Sequence, residues 1–186
     1  MPVAPSIEYM FDRDGPVLGV DPGLSQCGYG VVRRHGRGLA AVACGVLRTD
    51  PAAPLPERLA TLEADLDEFL REVRPCALAV ERVLFQANVR TAISVGQASG
   101  LALAVAARAG VPVTHYSPNE VKLAIAANGA AGKRQVQAMV TRVLHLAEQP
   151  PPDAADALAL AVCHLWRMPL RASVARAVAA TGDRRP

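Results

Sequence analysis

No stretch of this 186-residue chain approaches the roughly 20 consecutive apolar residues that cross a bilayer, so no membrane association is expected. The opening MPVAPSIEYMFDRDGP has neither the basic start nor the apolar stretch of a signal peptide, and a cytoplasmic protein is the expectation. Cysteine is sparse: Cys27, Cys44, Cys76 and Cys163 lie far apart and form no CxxC pair. That spacing excludes a zinc ribbon, and their apolar surroundings read as reduced core thiols. Lysine is scarcer still, with Lys122 and Lys133 the only two among 20 basic residues. Internal repeats and domain-sized linkers are missing as well, which leaves room for one domain with a buried core.

What is present is ordinary for a globular protein, with 51% apolar and 20% charged residues. The net charge of +3 is unevenly spread. Residues 167–186 carry five arginines against Asp183, while the rest of the chain holds 15 basic and 16 acidic groups. The globular part is therefore not a basic nucleic-acid binder by charge alone, although the tail could touch phosphates. Residues 1–15 read as a flexible extension, 16–167 as the folded domain, and 168–186 as an Arg-rich flexible tail.

Apolar runs ended by turn residues predict strands over 16–23, 27–36, 38–49, 76–81 and 111–118, with a hairpin at Gly36-Arg37-Gly38. Leu59, Leu62, Leu66, Phe69, Leu70 and Val73 recur on one face of a helix over 55–73. Further helices fit 89–109, 119–128, 134–147 and 153–167. Three strands joined without helices, followed by alternating helices and strands, imply a single α/β domain with a mixed sheet. His164 reads as a partly exposed residue near a helix end, and Trp166 as packing the end of the last helix.

Four acids stand where acids are costly. Asp21 and Glu81 each follow a run of four apolar or small residues, so each caps the carboxyl end of a buried strand, where open α/β sheets bind ligands. Asp153 and Asp156, three apart, face one side of the last helix near its start. Gathered together, such carboxylates would repel one another unless a cation joined them. All-oxygen ligation suits Mg²⁺ or Mn²⁺, and two such ions could activate a water and stabilise a leaving oxygen in phosphodiester hydrolysis. Singly each acid has a plainer role: Asp-Pro-Gly is a common turn, Glu81 could pair with Arg82, and Asp153 could cap a helix.

The segments LGVDPGLSQCGYGVV (18–32), AVERVLFQANVRTAISVGQASG (79–100), PNEVKLAIAANGAAGKRQVQAMV (118–140) and DAADALALAVCH (153–164) resemble the RuvC family of Holliday junction resolvases in order and spacing. The resemblance implies an RNase H-like fold with a five-stranded mixed sheet flanked by helices. It implies a homodimer gripping four-way junction DNA, with each subunit cutting one of two opposed strands to leave 5′-phosphates, and a branch-migration complex as partner. Asp21, Glu81, Asp153 and Asp156 match the family's catalytic, metal-binding acids, with two Mg²⁺ or Mn²⁺ ions expected per subunit. Lys122 and Lys133 match positions that contact DNA near the scissile phosphate, and Arg134 is expected to bind DNA beside them. The family's stacking aromatic falls on Leu84 here, with Phe85 next to it, so either residue could meet the junction bases. Gly96 and Gly100 lie on the helix that the family uses to dimerise, although packing on the chain's own sheet would suit them equally. The opening DPGLSQCGYG also resembles the phosphate-cradling hairpin of the actin and sugar-kinase superfamily, but one copy in 186 residues lacks the second half of such a site. A junction-binding module that does not cut, and an RNase H-like nuclease with another substrate, stay open at this point.

Overall fold

A computed structural model describes residues 15–82 and 89–182, with side chains for all of these except 90 and 169–182. The chain runs β1 (Val17–Asp21), β2 (Gln26–His35), β3 (Gly38–Arg48), α1 (Leu55–Val73) and β4 (Ala77–Glu81). It continues through α2 (Val89–Arg108), β5 (Val113–Tyr116), α3 (Pro118–Ala126), α4 (Lys133–Val143) and α5 (Pro152–Gly182). The strands form one sheet in the order β3-β2-β1-β4-β5. The meander β1-β2-β3 is antiparallel, whereas β4 pairs parallel with both β1 and β5, so the sheet is mixed as expected.

Alternation along the central strands sorts the core into two layers. Val17 of β1 and Ala77 and Ala79 of β4 join the layer under α3, α4 and α5. Leu18 and Val20, with Leu78 and Val80, face the layer built by α1 and α2. Helix α1 contributes Leu62, Leu66 and Leu70, one per turn and all buried, each worth roughly 2 kcal/mol of apolar burial. It stops where Arg74 takes a left-handed conformation (φ 47°) ahead of Pro75, whose ring disfavours a further helical residue. Helix α3 starts with a capping box: Ser117 Oγ accepts from the Glu120 amide, and the Glu120 carboxylate accepts from the Ser117 amide at 2.9 Å.

Three details depart from the sequence reading. Helix α5 is 31 residues long and continues to Gly182, so the expected boundary at 167 is not the end of the helix. Pro169 removes one helical hydrogen bond, but the alanine-rich run after it favours helix strongly enough to continue. His164 is buried (1% exposed), with Nδ1 3.1 Å from the Tyr116 hydroxyl, rather than partly exposed. The side of α5 carrying His164 faces the sheet, whereas Trp166 is 42% exposed and does not close the core. The four cysteines are free thiols; Cys27, Cys76 and Cys163 are buried and Cys44 is half-buried.

Candidate active site

The strand alternation that builds the core also aims the acids. Asp21 and Glu81 continue the parity of Val17 and Gly19 on β1 and of Ala77 and Ala79 on β4, the face covered by α5. Because Val20 pairs with Val80, the two carboxylates leave adjacent parallel strands side by side.

Helix α5 approaches that face unusually closely because three strand positions carry no side chain. A Cβ on Gly19 would collide with the Ala157 carbonyl, and one on Gly28 with the Asp153 carbonyl. One on Gly30 would stand 2.6 Å from the Leu158 nitrogen. Gly19 pairs with Gly30 and Asp21 with Gly28, so the glycines form a flat patch beside the Asp21 carboxylate. The first turns of α5 lie on this patch and bring Asp153 and Asp156 to the strand ends.

Asp21, Glu81, Asp156, Lys122 and Lys133 line one cleft of about 390 Å³ between the α2 side and the α3–α5 side of the sheet. Asp153 lies one turn back on α5, and its charge acts on Asp21, Asp156 and Lys133. Lys133 is on the first turn of α4, and its Nζ is 3.3 Å from an Asp156 oxygen. Arg134, also on that turn, is exposed and outside the cleft lining. Leu84 and Phe85 lie outside the described residues.

The carboxylates are held against their own charge. Burial, followed by repulsion from Glu81, Asp156 and Asp153, pushes the Asp21 pKa up to about 7, with Lys133 opposing. Glu81 is raised by burial and by Asp156, against Lys133 and Lys122. Asp156 is raised by burial despite its bond to Lys133. The ammonium of Lys133 is in turn held more firmly protonated, first by Asp156 and also by Asp21 and Asp153. Among the described residues no three His, Cys, Asp or Glu side chains converge tightly enough to form a ready metal cage. The donor set nonetheless fits a hard divalent cation: its acid side chains offer only oxygen donors, and the excess negative charge is only partly met by lysine.

A polar chain ties the wall bearing Lys122 to the helix bearing the acids. Arg167 Nη1 on α5 donates to Glu120 Oε1 on α3 at 2.7 Å, and its guanidinium lies 5.9 Å from the centre of the Tyr116 ring. The Tyr116 hydroxyl meets His164 on α5. The Glu120 carboxyl is held below its usual range, first by the Ser117 amide and also by Arg167, against the effect of burial.

Sequence reading missed two kinds of residue at this site. The glycines at 19, 28 and 30 were visible as glycines inside strands, a known mark of close backbone approach, but the helix that approaches them was not. Arg82 lines the cleft beside Glu81, and its only sequence signal was adjacency to that acid.

A sheet of this order, covered by helices on both faces and carrying carboxylates at the ends of its two central strands, defines an RNase H-like protein. Comparison with known proteins places it more narrowly. The family model for crossover junction endodeoxyribonuclease RuvC matches residues 17–164. The crossover junction endodeoxyribonuclease RuvC of Salinispora arenicola is 53% identical over 163 residues, covering 87% of this chain and 93% of the relative. The solved structure of Thermus thermophilus RuvC with a Holliday junction substrate superposes with a TM-score of 0.79 at 39% identity, covering 84% of this chain and 96% of that one. The yeast mitochondrial Holliday junction resolvase, 14% identical with a TM-score of 0.62 over 94% of this chain and 91% of its own, shares the fold. The chain belongs to the RuvC family of crossover junction endodeoxyribonucleases, the metal-dependent nucleases that resolve Holliday junctions.

Proposed function

We propose that Asp21, Glu81, Asp153 and Asp156 are the catalytic, metal-holding residues, and that the chain cuts opposed strands of a four-way DNA junction in symmetric pairs, leaving 5′-phosphates. The observation that carries this reading is the convergence of half-buried Asp21, Glu81 and Asp156 on one cleft, where burial and mutual charge disfavour their ionisation until positive charge is added. Mg²⁺ or Mn²⁺ ions, two per subunit, would supply that charge, activate the attacking water and stabilise the leaving oxygen. Asp21 and Glu81 present their oxygens from rigid strand ends, and Asp153 and Asp156 from the first turn of a helix fixed on glycine, so the ligands move little on binding. Lys122 and Lys133 hold the phosphate at the cleft, and Arg134 contacts the backbone outside it. Leu84 or Phe85 meets the junction bases.

The junction's two-fold symmetry calls for a homodimer, and α2 offers a face for one. Val89, Ile93, Gly96, Gly100, Ala104 and Ala107 recur at helical spacing along its exposed side. Val89 is 70% and Ile93 57% exposed, and a Cβ on either glycine would meet nothing within 4 Å. The small residues thus face away from the chain's own sheet, leaving space for a second helix to approach closely. The intracellular reading expected from the sequence, action in the cytoplasm alongside a branch-migration complex, completes the proposal. Among the described residues no helix is long and apolar enough to cross a membrane.

The test replaces each acid in turn by its amide. Asp21→Asn, Glu81→Gln, Asp153→Asn and Asp156→Asn should each lower single-turnover junction cutting by at least about a hundredfold in Mg²⁺ or Mn²⁺ while junction binding persists. Full cutting by any one variant removes that residue from the catalytic set.

A further inference from the structure

We propose that Arg82 is a DNA-binding residue of this site, a guanidinium clamp for a backbone phosphate at the cleft that Asp21, Glu81, Asp156 and Lys133 also line. This rests on the reading of the cleft as the place where junction DNA is cut.

Arg82 is fixed at its backbone and open at its side chain. Its amide donates to the Tyr116 carbonyl at 2.7 Å, extending the β4–β5 ladder by one residue beyond Glu81. By strand alternation Arg82 has the opposite parity to Glu81, which shares the parity of Ala77 and Ala79. Its side chain is exposed and lines the same cleft as Asp21, Glu81 and Asp156, which Thr91 and Ala92 of the first turn of α2 also line.

Of the other cations lining the cleft, Lys133 is paired with one of its acids. It bonds Asp156 at 3.3 Å, whereas Lys122 lines the cleft from α3 without a bond to any acid among the described residues. Among the described residues the Arg82 guanidinium forms no hydrogen bond or ion pair, and its side chain is exposed. A cleft lined by three carboxylates repels a polyanion, and an uncommitted cation at its rim reduces that repulsion where the DNA backbone must enter. The fork of a guanidinium matches two phosphate oxygens at once, which an ammonium cannot do. Arg82 therefore acts on binding and orientation of the strand rather than on the bond that breaks.

The test is binding of the full chain to a labelled synthetic four-way junction in EDTA, titrated with KCl, together with single-turnover cutting in Mg²⁺ at saturating protein. Arg82→Ala should weaken binding several-fold at low salt and reduce the slope of log affinity against log salt by about one phosphate contact. Cutting at saturating protein should fall by a smaller factor than binding does. Arg82→Lys should restore the salt slope but only part of the affinity. Arg37→Ala, an exposed arginine in the distant β2–β3 turn, should leave all three readouts unchanged. An unchanged slope for Arg82→Ala, or one altered only as much as in Arg37→Ala, overturns the proposal. So does loss of cutting at saturation with normal binding, since that would make Arg82 a support for Glu81. The metal-free binding slope decides Arg82 separately from the function reading: a wild-type chain that binds junctions but never cuts refutes that reading alone.

Discussion

At the residue scale the site is held together in spite of its charges. A carboxyl whose pKa is raised by folding binds more protons folded than unfolded between the two values. Stability therefore falls as pH climbs from about 4 through about 7, and the full cost is carried above that. For Asp21 the shift from 3.8 to about 7 corresponds to at most about 4 kcal/mol in the metal-free protein at pH 8. Asp21→Asn should therefore melt several degrees higher than wild type in EDTA at pH 8, with the gain shrinking toward pH 5 and on adding Mg²⁺ to the wild type. Thermal melts at the two pH values check this, and equal melting temperatures throughout would mean that the carboxylate carries no such strain. Asp21 and Glu81 were legible in the sequence because an acid closing an apolar strand breaks the local pattern, whereas Asp153 and Asp156 showed only as an Asp-x-x-Asp helix start. Arg82 was not legible: an arginine beside a glutamate looks like an ordinary surface pair until the fold places it in the lining of the cleft.

At the scale of elements the site depends on how closely α5 lies on β1 and β2. Gly28→Ala would place a methyl group on the Asp153 carbonyl and lift the first turn of the helix. It should cost about 1–3 kcal/mol by overpacking and lower cutting at least tenfold, while the half-buried Cys44→Ala leaves both nearly unchanged. Denaturant melts and single-turnover cutting measure the two effects, and a Gly28→Ala protein with wild-type activity would show that the close approach is dispensable. Strand and helix positions were largely readable, since period-two and period-3.6 patterns are written locally. The length of α5 was not, because Met168-Pro169 resembles a stop and only the alanine-rich sequence beyond carries the helix on. Nor was the burial of His164, which is set by a partner 48 residues away on β5.

At the scale of the whole molecule, charge and symmetry decide how DNA is met. The exposed apolar stripe of α2 predicts that Ile93→Glu shifts the protein to monomer in analytical ultracentrifugation and uncouples the paired nicks; a persistent dimer with paired cutting would place the interface elsewhere. The arginines beyond 167 are separate from the cleft in sequence and dominate the net charge. Removing residues 168–186 should flatten the salt dependence of junction binding more than it slows cutting at saturation, and the reverse result would tie the end of α5 to the chemistry. The fold class was readable from motifs, whereas only the structure shows which side of α2 is left open, the side proposed to meet a second copy. Junction-specific, metal-dependent cutting is tested most directly by offering the protein a synthetic mobile four-way junction and a matched linear duplex with Mg²⁺, Mn²⁺ or EDTA. Paired, symmetric nicks on the junction alone, lost in EDTA, are the predicted result; equal cutting of the duplex, or junction cutting that survives EDTA, would contradict it.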